Sequence, residues 1–171
     1  ELNVMILVRK PDVPDRPRQM EGRRMFGNPD DLFLQSKPKR GLLTNSENRV
    51  IALAELDLGP TSIVWDIGAG SGSVALEAAQ LAPEGHVFAV EMDTDDFELI
   101  RQNADRFRLH NVTPVLGRAP EAWEDLPIPD AIFVGGTGRQ AATIVEQAIG
   151  RLKSGGRIVV DMASIENLQA V

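Results

Sequence analysis

Ser62-Ile63-Val64-Trp65-Asp66-Ile67-Gly68-Ala69-Gly70-Ser71-Gly72-Ser73 is the stretch on which the fold turns. Its first half, 62–67, is a short apolar run of strand length, and a helix-like stretch at 73–82 follows it. Between them, glycines at alternate positions let the backbone turn sharply and let a ligand approach without a Cβ in the way. The first amides of the following helix offer unpaired donors at the positive end of its dipole. Working outward, further apolar runs occupy 86–91, 112–116, 130–134 and 157–161, and helix-like stretches lie near 94–109, 119–125 and 139–152. Continuous apolar strands alternating with amphipathic helices predict a parallel sheet covered on both faces, an α/β fold.

Upstream of this core, Thr44-Asn45-Ser46-Glu47 has the form of a capping box. It predicts a helix that starts after Thr44, carries Val50, Ile51, Ala54 and Leu58 on one face, and ends at Gly59-Pro60. Residues 28–46 read as irregular. Residues 1–27 read as a strand-like run, Leu2 to Val8, and a proline-rich linker containing Pro11, Pro14 and Pro17. They are expected to be the tail of an upstream module, which leaves 28–171 as the main domain.

Composition narrows the function classes. The chain has 171 residues, no cysteine and two histidines, so thiolate chemistry is excluded and a metal site is not expected. Glu1-Leu2-Asn3-Val4 has no basic stretch ahead of an apolar core, and no apolar run is long enough for a bilayer, so no signal peptide and a cytoplasmic protein without membrane contact are expected. The net charge of −7 divides into +1 over residues 1–60 and −8 over 61–171. An acidic main domain disfavours nucleic acid, whose binding depends on neutralising phosphates.

The run 86–91 ends at Glu91, nineteen residues after Gly72. A carboxylate there is placed to accept the hydroxyls of a ribose lying across the strand ends. A dinucleotide fingerprint would need glycine at 73, where the chain has Ser73. Asp66, just before the glycines, suits a cationic ligand better than a pyrophosphate. Asp66-x-Gly68-x-Gly70-x-Gly72 resembles the loop of S-adenosylmethionine-dependent methyltransferases, which implies a Rossmann-like, doubly wound fold of that class. The candidate cofactor-binding set is Thr44, Asp66, Gly68, Ala69, Gly70, Ser71, Gly72, Glu91, Met92, Arg118 and Ala119. Within it, Ala119 follows the third strand, where such a fold receives an adenine edge through a backbone amide. After the fourth strand, Gly135-Gly136-Thr137-Gly138-Arg139 forms the candidate substrate turn, whose amides could hold a carboxylate. No Asn/Asp-Pro-Pro-aromatic signature follows this strand, which argues against methylation of exocyclic amines on bases.

Several longer motifs strengthen the resemblance. Pro38-Lys39-Arg40-Gly41-Leu42-Leu43-Thr44, Val64 to Val74, Ala119-Pro120-Glu121-Ala122, Phe133-Val134-Gly135-Gly136 and Leu152-Lys153-Ser154-Gly155-Gly156-Arg157 resemble the decarboxylating precorrin-6Y methyltransferases of cobalamin biosynthesis. The resemblance implies methylation of a tetrapyrrole (precorrin) at carbon 15 with loss of carbon dioxide from an acetate side chain. It also implies a fused upstream carbon-5 methyltransferase module and a homo-oligomer, as a tetramer. Thr44, Gly68 to Gly72, Glu91 and Ala119 would contact the cofactor, and Arg118 and Arg139 could pair with substrate carboxylates. One departure stands out: the chain stops at Val171, short of the helix and antiparallel strand pair that usually follow the fifth strand. A C-terminally truncated domain is therefore expected. Another small-molecule or tRNA methyltransferase, a nicotinamide oxidoreductase, and a non-catalytic binding fragment are the rival readings.

Overall fold

The computed structural model describes residues 22–36 and 43–162 together with Met5, apart from the side chain of Arg139. The expected strand over Leu2–Val8 (Met5 aside), the linker, most of the Pro38–Thr44 motif and residues 163–171 lie outside the described residues.

Five strands form one parallel sheet: β1 (Ile63–Ile67), β2 (His86–Glu91), β3 (Val112–Leu116), β4 (Ala131–Val134) and β5 (Arg157–Val160). Each falls within a residue or so of an apolar run read from the sequence. Their spatial order is β3-β2-β1-β4-β5, so the chain winds outward from β1 and then crosses back to start β4 on its other side. That reversal leaves a crevice at the carboxyl ends of β1 and β4, the place where open α/β sheets bind ligands.

Alternation along β1 sorts its side chains into two layers. Val64 faces a core shared with Leu53, Leu76, Ile100 and Phe107. Trp65 and Ile67 face a second core with Val90, Ile132 and Ile144. In that second core Trp65 stacks on Trp123 at 5.6 Å, and its indole N–H donates to the carbonyl of Pro127 at 3.0 Å. The pairing satisfies the polar end of a large buried ring.

The helices are α1 (Ser46–Leu56), α2 (Ser73–Leu81), α3 (Thr94–Arg106) and α4 (Ala141–Ile149). The stretch expected as a helix over 119–125 is a single 3-10 turn, Glu121–Trp123, because Pro120 and Pro127 leave room for little more. Another 3-10 turn, Gly138–Gln140, precedes α4, and a third, Asp30–Leu32, interrupts the segment expected to be irregular.

α1 corrects two expectations. Its cap is Asn45, whose side chain accepts the amide of Asn48, so Thr44 stands one residue before the cap. Its buried face is Arg49, Ala52, Leu53 and Leu56, whereas Ile51 and Ala54 are exposed. The apolar pattern misled because a charged residue, Arg49, occupies a core position. The helix ends at Leu56 with Asp57 in the left-handed conformation, ahead of Gly59-Pro60.

Among the described residues, Arg23 packs against the body. Its guanidinium donates to the Phe107 carbonyl and lies 4.7 Å over the Phe107 ring, which stacks on Phe33.

Candidate functional site

Two adjoining cavities occupy the crevice. The larger, about 270 Å³, is lined by Thr44, Asp66, Gly68, Ala69, Gly70 and Glu91, together with Leu43, Val74, Met92, Asp93, Asp96, Phe133, Gly136 and Asp161. The smaller, about 100 Å³, lies toward β3 and α4 between Val90, Arg118, Ala119, Thr137, Gln140 and Ile144. Gly68, Glu91, Met92 and Gly136 line both, so the two form one elongated cleft.

Glu91 ends β2 with a buried carboxylate that gathers three backbone amides. One oxygen accepts from Gly70 at 2.8 Å, and the other from Met92 at 2.8 Å and Asp93 at 2.9 Å. The amides of Gly68 and Ala69 reach the Val90 carbonyl at 3.0 and 3.1 Å. The glycine loop is thereby stapled to the end of β2, and a carboxylate with about four acceptor directions still has room for a ligand hydroxyl.

Asp66 behaves differently. It is 1% exposed; one oxygen accepts the α2 amide of Ala75 at 2.8 Å, and the other, Oδ1, is buried without a partner. Burial pushes its carboxyl up to about 7; the Ala75 amide pulls the other way, and the Glu91 carboxylate adds to the rise. A buried carboxyl that borders a cavity and keeps one oxygen without a protein partner suits a cationic ligand. Asp93, Asp96 and Asp161 reinforce the negative potential of the larger cavity.

The unfolded chain loses the Asp66 proton near the ordinary value of 3.8, while the folded chain keeps it to about 7. The folded state therefore binds the extra proton in that window, and its stability falls as pH rises through it. Between pH 6 and pH 8 the Asp66 contribution is a loss of about 1.4 kcal/mol, readable by urea unfolding. The same loss in Asp66→Asn would assign it to another group.

The glycines divide by task. Gly68 has φ +74°, and a Cβ there would stand 2.0 Å from the carbonyl oxygen of Gly135. It lets the loops after β1 and β4 touch. Gly72, at φ +83°, packs against Leu76 and Ile100. Ser71 and Gly72 line neither cavity; they sit behind the loop, where the Ser71 carbonyl accepts from Asn103 at 2.9 Å. In the second turn, Gly136 lines both cavities and Thr137 the smaller one, whereas Gly135 and Gly138 line neither. The side chain of Arg139 is outside the described residues.

Sequence reasoning passed over Asp93, Asp96 and Asp161. Asp161 follows β5 at the same carboxyl edge as Glu91, and that shared register was the signal that could have found it. Among the described residues no histidine lines the cleft and no group of His, Asp or Glu is arranged for a metal ion. Among them, too, no helix is long and apolar enough to cross a membrane.

A family model described as a precorrin methyltransferase domain matches residues 37–171. A probable cobalt-precorrin-6B C(15)-methyltransferase (decarboxylating) of Sulfurisphaera tokodaii is 40% identical over 147 residues, 85% of this chain and 75% of that protein. A precorrin-6Y C(5,15)-methyltransferase [decarboxylating] of Sinorhizobium is 36% identical over 85% of this chain but only 35% of its own length. The crystal structure of a precorrin-6Y C5,15-methyltransferase from Geobacter metallireducens superposes with a TM-score of 0.79 at 40% identity, covering 85% of this chain and 76% of that one.

Proposed function

This chain belongs to the precorrin methyltransferase domain family, and we propose that it methylates a precorrin at carbon 15 with loss of carbon dioxide from an acetate side chain, in cobalamin biosynthesis. The observation that carries the cofactor reading is Asp66, a buried carboxyl that lines an acidic cavity and has one oxygen, Oδ1, without a protein partner. Bound there, S-adenosylmethionine supplies a methyl group made electrophilic by a sulfonium. Asp66 holds the cationic methionine end, and Glu91 takes the ribose hydroxyls while keeping Gly70 in place. Val90, Ala119 and Ile144 give the smaller cavity the apolar walls an adenine ring needs. Thr44, Gly68, Ala69, Met92 and Arg118 complete the wall around these groups.

The chain's contribution to the chemistry is alignment and exclusion of water, since the electron-rich ring carbon is the nucleophile. Most of the groups lining the cleft that can take a proton are carboxylates, Asp66, Glu91, Asp93, Asp96 and Asp161; none is a histidine. The turn Gly135 to Arg139 borders the substrate side, where amides and an arginine suit a polycarboxylate.

Self-association as a tetramer, a cytoplasmic location and fusion to an upstream carbon-5 module belong to the same proposal. The Sinorhizobium relative, of which this chain spans about a third, supports the fusion.

Calorimetric titration with S-adenosylhomocysteine, with NAD as comparator, tests the cofactor. Saturable binding of the former alone is expected. A preference for NAD, or no binding of either, would sink the reading. Incubation with S-adenosylmethionine and precorrin-6B should then yield a product that has gained one methyl and lost one carbon dioxide by mass spectrometry.

A further inference from the structure

Behind the cleft lies a cluster of buried charge that the chemistry above does not use. The side chains of Arg49 and Glu77 are both fully buried. Glu77 sits in the middle of α2, whose residues from Ser73 to Gln80 are all buried, and a carboxylate there is costly unless it is paired and hydrogen-bonded. Its oxygens accept the amide of Gly27 at 2.7 Å, the amide of Asn28 at 2.8 Å and the Asn28 side chain at 2.9 Å. Arg49 Nε stands 3.2 Å from it, close enough for charge pairing, although its N–H is not aimed at the oxygen.

The rest of the guanidinium points to other chain segments. One terminal nitrogen donates to the Thr44 carbonyl and to Asp30 at 3.2 Å, and the other donates to the Asn28 carbonyl. The group lies 4.8 Å over the Phe33 ring. A buried ion pair is weak evidence for stability, because apolar residues often serve as well. Apolar residues cannot grip two carbonyls and a carboxylate in fixed directions, which a planar five-donor fork does.

What Arg49 grips matters. Thr44 lines the larger cavity beside Asp66, and α2, which carries Glu77, also gives Asp66 its Ala75 hydrogen bond. A second clamp acts from α3: the Asn103 side chain donates to the carbonyls of Ser71 at 2.9 Å and Leu34 at 3.0 Å, and accepts the Leu34 amide at 2.8 Å. The back of the glycine loop and the Thr44 rim are thus held to the same short segment, Gly27–Leu34.

We infer that Arg49 is a positioning residue of the cofactor site, acting through the Thr44 carbonyl, and that Gly27–Leu34 is part of the frame of that site even though it precedes the family match at 37–171. The inference rests on reading the cleft as an S-adenosylmethionine site.

Arg49→Lys tests it, because lysine keeps the charge beside Glu77 but cannot reach all three acceptors at once. S-adenosylhomocysteine affinity should weaken roughly tenfold and the KM for S-adenosylmethionine should rise in step, with kcat and the precorrin KM little changed. Asp30→Ala, at a half-exposed position, releases one side of the same guanidinium and should weaken binding about threefold. It decides the matter if the lysine variant does not fold. Folded variants that bind S-adenosylhomocysteine as the parent does, or whose kcat falls while the cofactor KM holds, overturn the role of Arg49. A parent chain that binds no S-adenosylhomocysteine overturns the cofactor reading itself, and the inference with it.

Discussion

Gly68→Ala is expected to lose both fold stability and cofactor binding. The residue is at φ +74°, where an L side chain is strained, and its Cβ would sit 2.0 Å from a backbone oxygen that no rotamer change can move. Left-handed strain of about 1 kcal/mol and overpacking of about 2–3 kcal/mol combine to roughly 3–4 kcal/mol, which urea unfolding would read as a lower midpoint. Relief of the clash requires the loops after β1 and β4 to separate, which opens the shared wall of the two cavities. S-adenosylhomocysteine affinity should therefore fall by more than about 100-fold. Gly135→Ala is the control. The atoms nearest its Cβ would be those of the Phe133 ring, at 2.9 Å, a side chain rather than backbone, so about 1 kcal/mol is expected. Equal effects at the two positions would mean that the loop contact at Gly68 does not set the cleft.

Glu91→Ala should weaken S-adenosylhomocysteine binding at least about 100-fold. Two losses combine: the acceptor for the ribose, and the staple that holds the amides of Gly70, Met92 and Asp93. The Gly70 amide is the costly one, because its hydrogen bond to the carboxylate is buried. Glu91→Gln keeps the length but aims an NH2 group at backbone donors on one side, so an intermediate loss of about tenfold is expected. An alanine variant that unfolds like the parent and binds within threefold of it would falsify the role given to Glu91.

All five strands lie where the apolar runs put them, because a strand covered on both faces must be apolar throughout and its ends are marked by turn residues. The cleft was legible for the same reason. Asp66 and Glu91 stand at or near the carboxyl ends of β1 and β2, the glycine loop follows β1 and Ala119 lies shortly after β3, and parallel strands deliver all their carboxyl ends to one edge. Asp161 obeys the same rule but stands beside no glycine motif, so nothing in the local pattern singled it out.

What misread the sequence was charge in the core. The face of α1 was assigned from apolar spacing, and the pattern cannot register that Arg49 is buried when its partners, Asn28, Asp30, Thr44 and Glu77, lie up to 28 positions away along the chain. The raised Asp66 carboxyl is of the same kind, since desolvation depends on everything packed around it.

The sequence alone therefore determined the α/β class, the strand boundaries, the motif residues of the cleft and the family, all of which depend on local pattern and spacing. The tertiary structure alone decided which glycines line the cleft and which lie behind it, which oxygen of Asp66 has no protein partner, and that Gly27–Leu34 is clamped behind the site. Those are properties of distance between segments remote in sequence, and only the folded chain sets those distances.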